Sequence, residues 1–367
     1  NAINIITIIA SFGVIVGSLA LFVILSGFSG LRTFSYSLLD VSDPDIKITS
    51  VQGKSFIYSD DIQQLLNQNN TIKTLSSIVE ERVFLEYNDK NEIAYIKGVE
   101  ENYNSITQID SALTLGNWLD KDLSNTAVLG NGISRKLSLG ILNFGEPLRI
   151  MIPKAGTGFI NPTNAFYKIN IQVTGIYSGT EDFENKFVFV HLNEAQKLLR
   201  FNQNQITAVE LKLKKNSNKE EFSESLQLEL GTNFKIETKE QLNEIFYKVI
   251  NTENFVSYLI FTLIVIIALF NVIGAIIMMI IDKKNNLKTL FNLGTTIQEI
   301  KRIFVLQGFL LTILGMSIGL FLGIVLVLLQ RQFGFIMITQ NLPYPVEFRF
   351  LNVLIVLITI TVFSHCG

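Results

Sequence analysis

The sequence predicts an integral membrane protein: an α-helical bundle of four transmembrane helices, the fourth truncated, with a large α+β domain between helices 1 and 2. Three observations carry this. The 367 residues are 48% hydrophobic but only 17% charged, where a soluble domain carries about 25%. The apolar residues gather in four uncharged runs, 1–31, 254–281, 303–330 and 350–367. Between the first two lies a long polar segment, 32–253, with short stretches of both strand and helix periodicity. The mean hydropathy of +0.37 agrees. A net charge of −2 gives no basic excess for nucleic acid. One Cys and two His exclude a disulfide framework and argue against a Cys/His zinc site.

The first three runs are long enough for spanning helices, which need about 20 apolar residues. Run 1–31 is longer than a signal-peptide core and has no basic residue before it, so it reads as helix 1. The missing initial Met suggests a short lost N-terminus. Run 350–367 reads as a fourth span cut short. Gly13 and Gly17 in the first run, and Gly315, Gly319 and Gly323 in the third, recur every four residues. Such small faces let helices approach closely, within one chain or between subunits.

Orientation follows from the basic residues. Loop 282–302 carries Lys283, Lys284, Lys288, Lys301 and Arg302 against Asp282 and Glu299, and is assigned to the cytoplasm. Loop 331–349, sparse in charge, and segment 32–253 then lie outside. Within 32–237, period-two stretches at 45–49, 82–87, 92–97, 148–152, 168–174 and 209–213 read as strands. Helices are expected at 59–67, 126–137, 193–199 and 218–230. The segment reads as one α+β unit, with two lobes near 46–115 and 126–213 as a possible subdivision.

Thr238 followed by Gln241 forms a capping box. Leu242, Ile245, Phe246, Val249 and Ile250 then share one helical face. No Gly or Pro separates 238–253 from the second span. A continuous stalk helix into the membrane is expected, with a kink at Asn251 as the alternative. In the cytoplasmic loop, Leu287, Leu290 and Phe291 line one side of a short amphipathic helix. Gly294 is placed as its left-handed cap, and Thr296 with Glu299 starts the next helix. Such a helix either lies on the membrane or fills a groove in a soluble partner.

Catalytic signatures are missing. Gly53-Lys54-Ser55 ends like a Walker A motif, but Ile48 stands where its first Gly belongs. There is no G-x-S-x-G, H-E-x-x-H or dinucleotide fingerprint, and the four runs hold no Asp, Glu, Lys or Arg. The chain is therefore read as a non-catalytic subunit whose energy comes from a partner.

This order of segments resembles the FtsX/MacB-type ABC permeases. Met279-Ile280-Ile281-Asp282-Lys283-Lys284, Leu290-Phe291-Asn292-Leu293-Gly294-Thr295-Thr296 and Ile300-Lys301-Arg302-Ile303-Phe304-Val305-Leu306-Gln307-Gly308 are similar to that family's core signature. Pro44-Asp45-Ile46-Lys47-Ile48, Gly130-Asn131-Gly132-Ile133-Ser134-Arg135-Lys136-Leu137 and Val173-Thr174-Gly175-Ile176-Tyr177 resemble the lipoprotein-releasing permeases LolC and LolE. The resemblance implies a MacB-like periplasmic core in 32–237 and a bacterial inner-membrane location. It implies a second permease subunit, identical or different, and cytoplasmic LolD-like ATPases that bind ATP and Mg, with no cofactor on this chain. Lys283, Lys284, Leu287, Leu290, Phe291 and Gly294 would belong to the coupling helix seated in the ATPase. Mechanical transmission would move a lipoprotein from the outer leaflet of the inner membrane to a LolA-like carrier. The carrier-binding hook corresponds to 154–168, with Gly156, Gly158, Phe159, Ile160 and Pro162 at its tip; an ordinary hairpin loop is the alternative. A LolC-like and a LolE-like role both stay open. The competing function is an FtsX-like permease that signals ATPase state to a periplasmic cell-wall hydrolase. MacB-like efflux would need an ATPase on the chain, and a membrane sensor would need a cytoplasmic output domain.

Overall fold

The computed structural model describes all residues except 1, 142–145, 155–164, 216, 285–288, 290, 291, 293, 340, 341 and 367. Two compact units result, Asn1–Tyr36 with Ile245–Gly367, and Ser37–Glu244.

The chain begins with α1 (Ala2–Ser42). In the second unit follow β1 (Ile46–Ser50), β2 (Phe56–Ile57), α2 (Asp60–Gln68), β3 (Ile72–Tyr87), β4 (Lys90–Val99), β5 (Leu113–Gly116), β6 (Thr126–Gly130), α3 (Asn131–Leu137), β7 (Leu148–Pro153), β8 (Phe166–Tyr177), α4 (Glu181–Glu184), β9 (Phe187–His191), α5 (Leu192–Leu199), β10 (Gln205–Ile206), β11 (Ala208–Leu213), α6 (Lys219–Leu230), β12 (Phe234–Thr238) and α7 (Lys239–Leu242). Ten strands form one mixed sheet, ordered β12-β1-β11-β3-β4-β9-β6-β8-β5. β7 bridges β3 and β8, so β3, β4, β9, β6, β8 and β7 close into a ring. Closure removes free edges from that part of the sheet. The β3–β4 turn places Asn88 and Asp89 at φ 43° and 61°, the left-handed pair that suits a two-residue hairpin.

Successive strand residues point to opposite faces, and both faces are covered. Ala127, Leu129, Val188 and Val190 join one core cluster. Their neighbours Val128, Phe187 and Phe189 join a second, with Tyr103, Tyr177 and Phe183. This corrects two expectations. Residues 126–130 form a strand, with the helix starting only at Asn131. All five strand residues are buried between β8 and β9, and a short all-apolar run cannot be typed by periodicity. The two lobes do not exist either. β4 pairs in parallel with β9, and β3 pairs with β7 and β11, so the two stretches interleave.

The capping box at Thr238 is present, but α7 ends after one turn. Asn243 leaves the helical region, at φ −118° and ψ 35°. The expected uninterrupted stalk thus breaks at Asn243, where the side-chain amide bonds back to the Lys239 carbonyl at 3.0 Å. Such local Asn bonding competes with helix propagation. Beyond the break, α8 (Glu244–Asp282) is continuous through Asn251.

In the first unit α9 (Ile297–Phe333), the short hairpin β13 (Met337–Thr339) and β14 (Leu342–Pro343), and α10 (Phe350–Cys366) complete the chain. Among the described residues, Phe12–Ser37 and Ile297–Phe333 are long and apolar enough to cross a membrane, and Phe350–Thr361 is a shorter apolar helix. Val14, Leu21 and Phe22 of α1 pack with Met316, Leu320 and Val327 of α9 and with Val356 and Ile360 of α10. Phe261 and Ile264 of α8 lie against this cluster.

Candidate functional site

Close helix contact builds the first unit. A Cβ on Gly319 would lie 2.0 Å from Ser18 Oγ and 2.4 Å from the Ile15 carbonyl oxygen. Gly323 faces Phe22 less tightly, a Cβ there lying 3.0 Å from the ring. Gly315 is buried as well, while Gly13 and Gly17 are half-buried. Gly319 and Gly323 of α9 therefore face α1 within this chain.

Where α1 and α8 run side by side, a groove of about 460 Å³ opens. Phe28 and Leu31 line it from α1, and Ile245, Val249, Thr252 and Val256 from α8. Lys248 is the one charge among the lining residues. Tyr36 stacks on Tyr247 with ring centroids 5.6 Å apart. The groove offers an apolar slot with a cation at its rim, a combination suited to a lipid-modified or otherwise amphiphilic ligand. Sequence reading missed it, since its residues come from two helices more than two hundred positions apart.

At the opposite end of α8, Lys283 is half-buried and Lys284 exposed. Gly294 adopts φ +96°. Thr296 accepts from the Glu299 N–H, and Glu299 accepts from the Thr296 N–H at 2.8 Å, so the second capping box is present. Leu287, Leu290 and Phe291 lie outside the described residues. So do Gly156, Gly158, Phe159, Ile160 and Pro162. Their segment is bounded by the β7–β8 ladder, which continues through the Lys154 N–H to the Ala165 carbonyl at 2.8 Å.

The second unit holds a charge cluster that no sequence motif announced. Lys47 sits opposite Glu210, and Glu80 opposite Lys97, on adjacent strands. Lys97 Nζ meets Glu210 Oε1 at 2.8 Å, with side chains 4% and 1% exposed. Lys47 meets Glu80 at 2.9 Å, and the Tyr103 hydroxyl donates to Glu210 at 2.9 Å. Burial works to deprotonate Lys97, but Glu210 and Glu80 hold its pKa above the usual lysine value. Burial likewise opposes the Glu80 carboxylate, yet Lys47 and Lys97 keep its pKa below the usual range. Burial raises the pKa of Asp43 nearby, against a hydrogen bond from Ser42. Among the described residues no group of three or more His, Cys, Asp or Glu is placed to hold a metal. The cluster is ion-paired, with Lys97 and Glu210 buried and Lys47 and Glu80 half-buried, an arrangement that holds strands in register.

Comparison with known proteins places these features. Residues 7–228 match the MacB-like periplasmic core domain family. The lipoprotein-releasing system transmembrane protein LolE of Haemophilus influenzae is 25% identical over 332 residues, covering 88% of this chain and 78% of that protein. LolC of the same organism is 22% identical over 367 residues, 96% of this chain and 86% of that protein. The periplasmic region of MacB from Actinobacillus actinomycetemcomitans aligns with 57% of this chain and 94% of its own, at 13% identity and a TM-score of 0.37. The family match spans more than half of the sequence, and the chain belongs to the MacB-like periplasmic core domain family, as an ABC transporter permease of the FtsX/MacB type.

Proposed function

We propose that this permease extracts lipoproteins from the outer leaflet of the bacterial inner membrane and passes them to a LolA-like periplasmic carrier. The carrying observation is the apolar groove between α1 and α8, with Lys248 at its rim. Its lining suits acyl chains, while the cation suits the polar linkage above them. Similarity to LolE and LolC over most of the chain supports the cargo class.

In this reading α1, α8, α9 and α10 are four spans, and the sheet domain is periplasmic. A second permease subunit completes the pair, and a separate LolD-like subunit binds and hydrolyses ATP with Mg. Lys283, Lys284, Leu287, Leu290, Phe291 and Gly294 form the contact to that ATPase. Gly156, Gly158, Phe159, Ile160 and Pro162 form the contact to the carrier. Closure of the ATPases narrows the groove and expels the acyl chains sideways and outward. No charged path across the membrane is required, in keeping with the four runs 1–31, 254–281, 303–330 and 350–367 of these helices, which hold no Asp, Glu, Lys or Arg.

Photo-crosslinkers at Val256, Leu290 and Phe159 test the scheme in cells. A lipoprotein captured at Val256, an ATPase at Leu290 and a lipoprotein carrier at Phe159 are expected. An ATPase at Leu290 together with a cell-wall hydrolase on the sheet domain, and no lipoprotein at Val256, would replace extraction by FtsX-like signalling.

A further inference from the structure

Between α9 and α10 the described residues form a short hairpin in which β13 pairs with β14. From residue 332 to residue 346 there is no Asp, Glu, Lys or Arg. Yet α9 ends with Phe333, and a sequence with this loop in water exposes Phe335, Ile336 and Met337, which are 71%, 64% and 52% accessible. Contiguous apolar exposure of this kind marks a contact surface.

The hairpin is held firmly. The buried Gln330 side chain donates to the Ile336 and Tyr344 carbonyls at 2.8 and 3.2 Å, and accepts from the Ile336 N–H at 2.9 Å. The following strand of chain is clasped to α1. A Cβ on Gly30 would lie 2.5 Å from the Pro345 oxygen. The Glu347 N–H donates to the Ser26 carbonyl at 3.0 Å, and Thr33 bridges Glu347 and Arg349 at 2.6 and 2.9 Å. The exposed side chains thus project beside a hydrogen-bonded base.

Continuity identifies what covers them. Leu322, Leu326, Leu329 and Phe333 form an exposed stripe at helical spacing along α9. Phe335 stacks on Phe333 at 5.5 Å, prolonging that stripe without a break. The medium that covers Leu326 and Leu329 therefore extends to Phe335. On α1, the clasp uses Gly30 and Thr33 while the groove uses Phe28 and Leu31. Hairpin and groove stand at the same level. Aromatic and aliphatic side chains at that level are typical membrane-interface anchors.

We propose that the β13–β14 hairpin is inserted in the outer leaflet, with Phe335, Ile336 and Met337 among phospholipid acyl chains. The inference rests on the membrane-spanning reading of α9. It does not depend on the cargo.

The test uses the full chain in nanodiscs of phosphatidylethanolamine and phosphatidylglycerol. The one cysteine of the sequence is removed as Cys366→Ser. An environment-sensitive fluorophore is attached at Phe335→Cys and, in parallel, at Met337→Cys. Leu326→Cys reports the span, and Leu228→Cys on α6 reports water. The expected result is a blue shift relative to Leu228, and loss of emission with lipids spin-labelled near the headgroup end of the chain. Water-like emission at 335 and 337, with Leu326 quenched, overturns the hairpin proposal while the span stands. A blue shift without lipid quenching also overturns it, since protein would then cover the hairpin. An unquenched Leu326 removes the span itself, and the proposal with it.

Discussion

Glu210 receives two short bonds inside the sheet domain, from Lys97 and from Tyr103. Removing one partner of such a pair leaves a buried charge without compensation, a loss of about 3–5 kcal/mol, whereas an apolar replacement of both is often tolerated. Lys97→Met should therefore lower the unfolding temperature markedly, and Lys97→Met with Glu210→Leu should recover much of it. A thermal-unfolding double-mutant cycle in detergent reads this; additive losses would show that the pair is not coupled. The pH dependence follows from Glu80. Its folded pKa lies below the unfolded value, so its contribution is present above the unfolded pKa, about 4.3, and is lost as pH falls through the folded pKa. Asp45, opposed by burial but held down by Lys219, the Leu213 N–H and Lys212, acts in the same direction. Asp43, raised by burial, acts in the opposite one. Glu80→Gln should flatten the acid limb of the stability profile below that pH and cost stability at neutral pH.

Among the elements, α1 and α9 meet closely at Gly319. At Gly319 a side chain would run into the Ile15 backbone, which cannot rotate away. Overpacking of this kind costs about 1–3 kcal/mol. Gly319→Leu should lower the melting temperature of the purified protein, while Phe321→Ala, on an exposed face two residues on, should leave it nearly unchanged. Equal melting of the two variants would contradict the packing described. For the loop after α8, Lys283 and Lys284 have no ion-pair partner among the described residues. Under the proposed ATPase contact, reversing both to Glu should uncouple ATP hydrolysis from cargo release in a reconstituted complex without preventing insertion. Coupling that survives the reversal would remove these lysines from the contact.

For the molecule as a whole, topology limits how motion can reach the sheet domain. Its first strand, β1, and its last, β12, are hydrogen-bonded neighbours from Ile46↔Thr238 to Ser50↔Phe234. The chain therefore enters and leaves the sheet through one edge. The closed ring begins two strands further in, at β3. Under the proposed mechanism, motion delivered at β1 and β12 would pass through paired strands, including the Lys47–Glu210 rung. The β7–β8 hairpin belongs to the ring, and it carries the segment proposed for the carrier. Replacing Phe159 and Ile160 by Ser should weaken carrier binding several-fold with the fold intact. Unchanged crosslinking to the carrier would return this segment to an ordinary loop.

The sequence by itself determined the class of protein and the local punctuation. Uncharged runs are visible one residue at a time, and the capping boxes at Thr238 and Thr296 need only three residues of spacing. The family motifs are equally local. Tertiary structure decided the rest, because it depends on partners remote in the chain. Lys47, Glu80, Lys97 and Glu210 lie on four different strands, and only the strand register brings them together. Residues 126–130 became a strand because β8 and β9 flank them. Asn243 interrupted a pattern whose periodicity continues across it. The groove and the clasped hairpin join residues of α1 to residues more than two hundred positions later. Periodicity reports which face a residue occupies; only packing establishes what that face meets.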